Sequence, residues 1–214
     1  MGQNLQSQDW PYLSRYKEEN LRLQNEPKTT NRVVFIGDSI TEFWSKEQAD
    51  FFSNKNYVNR GISGQTSPQI LLRFRADVVL LQPKVVIILA GGNDIAGNTG
   101  ESSLEMILNN IQSMIEIAKA NHLSIVLCSL LPANFFYWMP KKQPAKTIIA
   151  FNQLLRECAN RNNLPFVDYY TALVDDNLGL PPKFSEDGVH PNANGYRIMQ
   201  PLIEEVVNKL ITIA

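Results

Sequence analysis

The sequence has little of three features that would each point to a particular class of protein. Its two cysteines, Cys128 and Cys158, are too few for a disulfide scaffold and lack the CxxC spacing of a metal site, so we expect two buried thiols. An excess of charge of one sign is also missing, because the chain has 20 Lys and Arg and 21 Asp and Glu, which gives a net charge of −1. That balance does not favour nucleic acid as a partner.

A membrane-spanning segment is the third absence. The most apolar stretch, residues 78–92, is interrupted at 82–84 by Gln, Pro and Lys, before it reaches the roughly 20 residues that a transmembrane helix needs. The first ten residues lack the basic start and apolar region of a signal peptide, so we expect none in the chain as given. The compartment stays open.

Length and composition indicate a single globular unit. The 214 residues leave room for one domain of about 150 residues plus an extension. Hydrophobic residues make up 44% and charged residues 19%, which is ordinary for a packed core. We expect a domain over residues 31–214 and an N-terminal extension over residues 1–30, packed on it. Its helix is predicted over residues 9–26, from an Asp9 cap to the stop at Pro27.

Apolar runs rich in β-branched residues alternate with helical patterns along the chain. The runs predict strands over residues 33–37, 57–61, 84–92, 123–130 and 164–170. Apolar positions at helical spacing occur over residues 104–118, 148–158 and 196–210, and Ser67 followed by Pro68 indicates another helix start. The alternation predicts an α/β fold, a three-layer α/β/α sandwich with a five-stranded parallel, flavodoxin-like sheet.

Small polar residues follow the predicted strands. Ser39 follows the first strand, Gly64 the second and Asn93 the third, while Asp187 and His190 lie in the loop after the fifth. Because ligands bind at the carboxyl ends of parallel strands, we expect these five residues to meet at one edge of the sheet.

Together these residues supply what acyl transfer requires. Ser39 would be the nucleophile, His190 the base that takes its proton, and Asp187 the carboxylate that orients the imidazole. The backbone N–H groups of Ser39 and Gly64 and the side-chain amide of Asn93 would stabilise the oxyanion.

Each segment also has a simpler interpretation. The turn at Ser39 alone fits a helix cap, since Asp and Ser favour that position, and we expect Asp38 and Asp94 to shape their loops. Asp187 and His190 alone fit a surface turn or half of a metal site. No second group of ligands accompanies them, so no metal and no cofactor are expected. The other histidine, at position 122, is expected to be a solvated turn residue at the opposite edge.

Four short blocks occur in a fixed order: GDSI at 37–40, ISGQTS at 62–67, GGND at 91–94 and DGVHP at 187–191. From Val33 to the C-terminus the chain resembles the SGNH (GDSL) hydrolase family, especially the branch of platelet-activating-factor acetylhydrolase catalytic subunits and bacterial acylhydrolases.

The resemblance implies the same roles as the residue chemistry. Ser39 is similar to the family's nucleophile, Gly64 and Asn93 to its oxyanion donors, and Asp187 and His190 to its acid and base. Isoleucine stands at position 40 where the name-giving Leu would be, and both residues are apolar.

The loop at 134–144 is rich in aromatic residues and is predicted to lie at the same edge. It would form a wall or lid over the pocket, or else cap the core or contact a second copy, and Trp44 after Ser39 poses the same choice. The candidate substrate-binding residues are Trp44, Phe135, Phe136, Tyr137 and Trp138. The lack of a long insertion indicates a shallow, open pocket that suits a short acyl group.

The sequence therefore predicts a metal-independent serine esterase that removes a short acyl group, acetyl foremost, from a carbohydrate or small alcohol through an acyl-enzyme. One alternative is a lysophospholipase or thioesterase with the same triad. Another is a non-catalytic module that binds a phosphate or sugar. The expected partner is a small-molecule or carbohydrate ester, and a homo-oligomer stays open.

Overall fold

A computed structural model describes residues 9–27, 29–53 and 55–212 of the chain. The strands are β1 Val33–Gly37, β2 Tyr57–Gly61, β3 Val85–Leu89, β4 Ser124–Cys128 and β5 Phe166–Val167. The helices are α1 Lys17–Asn25, α2 Ser39–Glu47, α3 Ala49–Ser53, α4 Ser67–Asp77, α5 Gly92–Ala96, α6 Leu104–Ala120, α7 Ala145–Asn162, α8 Tyr169–Leu173 and α9 Ala193–Thr212, with a 3₁₀ helix at Val79–Leu81.

Within the described residues, the five strands form one sheet in the order β2-β1-β3-β4-β5, and all neighbours are parallel. This is the flavodoxin-like order, in which the chain reverses its direction of winding between β1 and β3. Helices pack on both faces, and the predicted three-layer α/β/α sandwich is confirmed.

The strands are apolar at successive positions because both of their faces are covered. Val34 and Ile36 of β1 belong to a core shared with α1, α4, α6 and α7. Val33 and Phe35 point the other way, into a second core shared with α2, α3, α8 and α9. Side chains alternate between the two faces of a strand, so a sheet between two helical layers needs apolar residues throughout.

The predicted N-terminal helix begins later than expected. Asp9 caps a turn instead of the helix, because its carboxylate accepts hydrogen bonds from the N–H groups of Leu13 and Ser14, each at 2.7 Å. Tyr12 adopts a left-handed backbone with φ 56°, which a continuous helix does not allow. Helix α1 therefore starts at Lys17. Residues 1–8 of the predicted extension lie outside the described residues, and the boundary at residue 31 stays a prediction.

The strand predicted over residues 164–170 is also shorter. Only Phe166–Val167 pair with β4, and the chain then turns into α8. The side chain of Asp168 accepts a hydrogen bond from the Thr171 N–H at 3.0 Å and so caps this helix. A side-chain cap competes with strand pairing, and the apolar run did not reveal it.

Two smaller predictions are confirmed. Cys128 and Cys158 are both buried and free of any disulfide. His122 is exposed, in the turn between α6 and β4, at the edge of the sheet opposite to Ser39. Among the described residues, no helix combines the length and the apolar character needed to cross a membrane.

Candidate active site

The first three strands end level with one another. Gly37 of β1 is the register partner of Gly61 in β2 and of Leu89 in β3, so the segments that leave these strands begin at one edge. A side chain on Gly37 would place its Cβ 2.3 Å from the Thr41 Oγ1 and 2.4 Å from the Leu89 carbonyl oxygen. Glycine therefore allows the chain to turn from β1 directly into α2, which brings Ser39 to this edge.

Ser39, His190 and Asp187 form one chain of hydrogen bonds. The Ser39 Oγ lies 2.9 Å from the His190 Nε2, and the His190 Nδ1 lies 2.7 Å from the Asp187 Oδ2. Ser39 is 8% exposed, and the imidazole is mostly buried beside it. With Asp187 ionised, Nδ1 carries the proton and donates a hydrogen bond to the carboxylate, which leaves Nε2 free to accept one from the serine hydroxyl.

The other oxygen of Asp187 shapes the loop that holds the histidine. Its Oδ1 accepts hydrogen bonds from the N–H groups of Val189 at 2.9 Å and His190 at 2.8 Å, and from the Ser185 hydroxyl at 3.1 Å. Burial alone would raise the pKa of Asp187, but the side-chain and backbone hydrogen bonds from His190 and the one from Val189 hold the pKa below its ordinary value. The carboxylate therefore stays charged and able to orient the imidazole.

Three potential donors for an oxyanion surround Ser39. Among the described residues, no group accepts the backbone N–H of Ser39, at the first position of α2, or that of Gly64. The Asn93 Nδ2 donates to the Gln65 carbonyl at 3.0 Å, and its second contact, to Asp38, is 3.3 Å long. A bond of that length is weak, which leaves the second amide proton able to turn to a substrate oxygen.

Asp38 and Asp94 shape the loops on which these donors lie. The Asp38 carboxylate accepts from the Ile40 N–H at 3.0 Å and so caps α2. The Asp94 carboxylate accepts from both the N–H and the hydroxyl of Ser67, at 2.8 Å and 2.6 Å, and ties α5 to the start of α4. Both carboxylates are buried.

Two cavities open on either side of Ser39. The first, which we call the inner slot, has a volume of about 40 Å³. Its apolar walls include Leu130, Leu131, Ala133, Phe136, Ile148 and Val189. The second, which we call the outer cleft, has a volume of about 320 Å³ and is open to solvent. Its walls include Phe43, Ser63, Gly64, Asn98, Tyr137 and His190. Ser39, Asn93 and Trp138 line both cavities.

The aromatic loop contributes unequally to these cavities. Trp138 stacks on Phe136, which closes the inner slot, and its ring centroid lies 6.4 Å from that of His190. Tyr137 is 56% exposed and lines the outer cleft. Phe135 lines neither cavity, since its ring packs on Gly188 from the outside, where an added Cβ would approach to 2.8 Å.

Trp44, the fifth candidate substrate-binding residue, lies in the core and lines neither of the two cavities. Its side chain is 2% exposed and points to the sheet, where it stacks on Phe51 and Tyr196, with ring centroids 5.2 Å away in both cases. Ser39 begins the helix at the pocket, but the apolar face of an amphipathic helix turns to the core. Trp44 lies on that face.

The sequence prediction did not include Asn98, which lines the outer cleft. Its side chain bonds to Asn93, Gly64 and Trp138, which all line the outer cleft. The only signal for it is a polar residue between two glycines, in the turn GNTG at 97–100, shortly after the block that holds Asn93.

Comparison with known proteins finds a matching family model and similar crystal structures. The family model described as GDSL-like Lipase/Acylhydrolase family matches residues 35–198, a range that includes Ser39 and His190. The crystal structure of a GDSL-like lipase from Bacteroides thetaiotaomicron superimposes with a TM-score of 0.90 and 44% identity, covering 94% of this chain and 98% of that one.

Two curated relatives match at lower identity. The thioesterase 1/protease 1/lysophospholipase L1 of Escherichia coli strain K12 is 28% identical, over 83% of this chain and 81% of its own length. The human platelet-activating factor acetylhydrolase IB subunit alpha2 is 24% identical, over 83% of this chain and 77% of its own length.

Proposed function

The chain belongs to the GDSL-like lipase/acylhydrolase family, and we propose that it hydrolyses short-chain acyl esters, acetyl esters foremost, of a carbohydrate or small alcohol, with Ser39 as its nucleophile. The resemblance expected from the four sequence blocks is confirmed, and the chain is an acylhydrolase. The alternative of a non-catalytic binding module is therefore set aside. The observation that carries the proposal is the unequal size of the two cavities beside Ser39.

The proposed reaction follows from the hydrogen-bonded chain. As the Ser39 Oγ attacks the ester carbonyl carbon, its proton passes to the His190 Nε2, and Asp187 stabilises the imidazolium. The carbonyl oxygen becomes an oxyanion that accepts hydrogen bonds from Ser39 N–H, Gly64 N–H and Asn93 Nδ2. Collapse of this intermediate breaks the bond to the alkoxy oxygen, which takes the proton from His190 and leaves as the alcohol.

Deacylation repeats these steps with water. His190 removes a proton from the water molecule that attacks the acyl-enzyme, and the Ser39 oxygen is the leaving group that recovers the proton. The products of this step are the carboxylic acid and the free enzyme, and both steps balance without a cofactor.

The inner slot supports a short acyl group. A cavity needs about 10–15 Å³ for each water molecule it holds, so about 40 Å³ corresponds to about three such molecules. An acetyl or propionyl chain fits that space, whereas a fatty acyl chain does not. The slot is lined by Leu131, Ala133 and Ile148, and it does not include His190, which is consistent with the acyl side of the ester.

The outer cleft supports a larger, polar leaving group. His190 lies in this cleft, and the leaving alcohol must be close to it to receive its proton. Tyr137 and Trp138 offer aromatic faces, and Ser63 and Asn98 offer hydrogen-bonding groups. Aromatic faces beside polar side chains suit the alternating apolar and hydroxyl surfaces of a sugar.

The lysophospholipase or thioesterase alternative has one observation in its favour. The chain matches the Escherichia coli relative named thioesterase 1/protease 1/lysophospholipase L1. Such an enzyme would have to place a long acyl chain in the outer cleft, because the inner slot is too small, and the leaving group would then compete for the same space. The size of the slot therefore favours the esterase.

A panel of substrates tests the proposal. We expect the purified protein to hydrolyse p-nitrophenyl acetate and a peracetylated monosaccharide, with kcat/KM falling steeply from acetate to butyrate to octanoate. The matched control is the Ser39→Ala variant, which should be inactive on every ester. Higher kcat/KM with octanoate, lysophosphatidylcholine or palmitoyl-CoA than with the acetyl esters would overturn the short-chain assignment.

A further inference from the structure

We propose that Asn98 is a positioning residue that fixes the oxyanion donors Asn93 and Gly64 and links them to the substrate wall at Trp138. Its Nδ2 donates to the Asn93 Oδ1 at 2.9 Å and to the Gly64 carbonyl oxygen at 3.2 Å. Its Oδ1 accepts from the Trp138 Nε1 at 3.0 Å. The inference rests on the proposed function, because it assigns Asn93 and Gly64 to the oxyanion.

The orientation of the Asn98 amide follows from its partners. The indole N–H of Trp138 can only donate, so it must face the Asn98 oxygen. The backbone carbonyl of Gly64 can only accept, so it must face the Asn98 NH₂ group. These two fixed partners allow only one of the two amide orientations.

The orientation of Asn93 then follows from that of Asn98. The Asn98 NH₂ group faces the Asn93 Oδ1, and the Gln65 carbonyl accepts from the Asn93 Nδ2. Both contacts turn the oxygen of Asn93 to the outer loop and its nitrogen to the interior beside Ser39. If the amide rotated by half a turn, its oxygen would lie where the oxyanion forms, and the transition state would be repelled instead of stabilised.

Gly64 needs a similar restraint. Its φ of 78° lies in the left-handed region, and a glycine without Cβ is free to leave it. The hydrogen bond from Asn98 to its carbonyl oxygen holds the peptide that follows Gly64. One side chain therefore restrains the Asn93 amide directly and, through the peptide that follows it, the residue that carries the Gly64 N–H.

Trp138 connects this network to the bound substrate. Its ring lines both the inner slot and the outer cleft, and its Nε1 holds Asn98. A substrate that contacts the Trp138 ring would thus be linked to the Asn93 amide through two hydrogen bonds, one from Trp138 to Asn98 and one from Asn98 to Asn93. A phenylalanine at position 138 would keep a flat aromatic surface but lose the donor.

Kinetics of variants at these two positions test the inference. For Asn98→Ala we expect kcat on p-nitrophenyl acetate to fall about 10- to 100-fold, the range for loss of an outer support, with KM changed by less than about threefold. For Asn98→Asp we expect a larger fall in kcat, because a carboxylate oxygen would face the Asn93 Oδ1 and the Gly64 carbonyl. A residue that only filled space would tolerate this isosteric change better than the truncation.

Trp138→Phe should lower kcat less than Asn98→Ala does. In the Asn98→Ala background it should have little further effect, since the hydrogen bond is already absent. Asn109→Ala on the exposed face of α6 and Trp10→Phe at the surface are the matched controls, and we expect wild-type kcat for both. Melting temperatures of all variants verify that the folded protein is being compared.

The outcomes separate this inference from the proposed function. If Ser39→Ala is inactive but Asn98→Asp keeps a kcat within about twofold of wild type, the esterase stands and the role of Asn98 is refuted. A fall in kcat for Asn98→Asp that is smaller than for Asn98→Ala also refutes it. Activity of Ser39→Ala at the wild-type level would refute the proposed function itself.

Discussion

The Oγ of Ser39 lies 2.9 Å from the Nε2 of His190, although 151 positions of the chain separate the two residues. A second contact ties the helix of Ser39 to the helix that follows His190, because the buried hydroxyl of Tyr196 in α9 donates to the Ile40 carbonyl oxygen of α2 at 2.7 Å. Trp44 stacks on Tyr196 just below that bond. The position of α2 relative to α9, and with it the alignment of hydroxyl and imidazole, therefore depends on packed aromatic residues that line neither cavity.

Removal of the Asp187 charge should slow catalysis without unfolding the protein. In Asp187→Asn the side-chain amide would donate to the His190 Nδ1, which forces the proton to Nε2 and leaves no acceptor for the Ser39 hydroxyl. We expect kcat on p-nitrophenyl acetate to fall by about four orders of magnitude. The melting temperature should change by only a few degrees, and a kcat within about tenfold of wild type would contradict the proposed role of Asp187.

Enlargement of the inner slot should change the preference for acyl length. Ile148 lies in the wall of the slot on α7, and Ile148→Ala removes three carbon atoms from it. We expect the ratio of kcat/KM for butyrate to that for acetate to rise about tenfold or more, the effect of new space for added methylene groups.

Loss of stability is the confounding effect of that substitution, because truncation of a buried isoleucine costs about 2–5 kcal/mol. Ile115→Ala is the matched control, since Ile115 is fully buried in the same core but does not line the slot. An equal shift of acyl preference in both variants would show that the inner slot does not hold the acyl chain.

Asp38 should make stability depend on pH. Complete burial raises its pKa from 3.8 to about 6, against the opposing effects of the Ile40 N–H and of nearby His190. The folded protein thus binds this proton more tightly than the unfolded chain does, and the free energy of unfolding falls as pH rises from about 4 to 6. The shift corresponds to roughly 3 kcal/mol when Asp38 is fully ionised.

Asp38→Asn measures this contribution, because asparagine still accepts the Ile40 N–H but cannot ionise. Relative to wild type, the variant should gain roughly 2 kcal/mol more in free energy of unfolding at pH 7.5 than at pH 4.5, as measured by urea denaturation. A difference between the two proteins that does not vary with pH would show that Asp38 keeps its ordinary pKa.

The edge at which Ser39, Gly64, Asn93 and His190 meet could be predicted because topology alone determines it. Parallel strands bring their carboxyl ends together, and each of these residues follows a strand or lies in the loop before α9. The contribution of Asn98 could not be predicted. It depends on side-chain orientation within a glycine-flanked turn, which leaves no periodic pattern in the sequence.

The place of Trp44 and the start of α8 could not be predicted for a related reason. The choice between pocket and core for Trp44 depends on how α2 is rotated about its axis, and its contacts with Phe51 and Tyr196 set that rotation. The end of β5 depends on one hydrogen bond from the Thr171 N–H to the Asp168 side chain. Local capping of this kind overrides an apolar run that would otherwise continue as a strand.

The most direct measurement is the identification of the residue that a fluorophosphonate probe modifies. We expect one adduct per chain, located on Ser39 by peptide mass mapping, and no adduct on folded Ser39→Ala protein. Two results would contradict Ser39 as the nucleophile. One is probe-treated protein that loses its activity on p-nitrophenyl acetate while Ser39 stays unmodified, and the other is an adduct on a different residue.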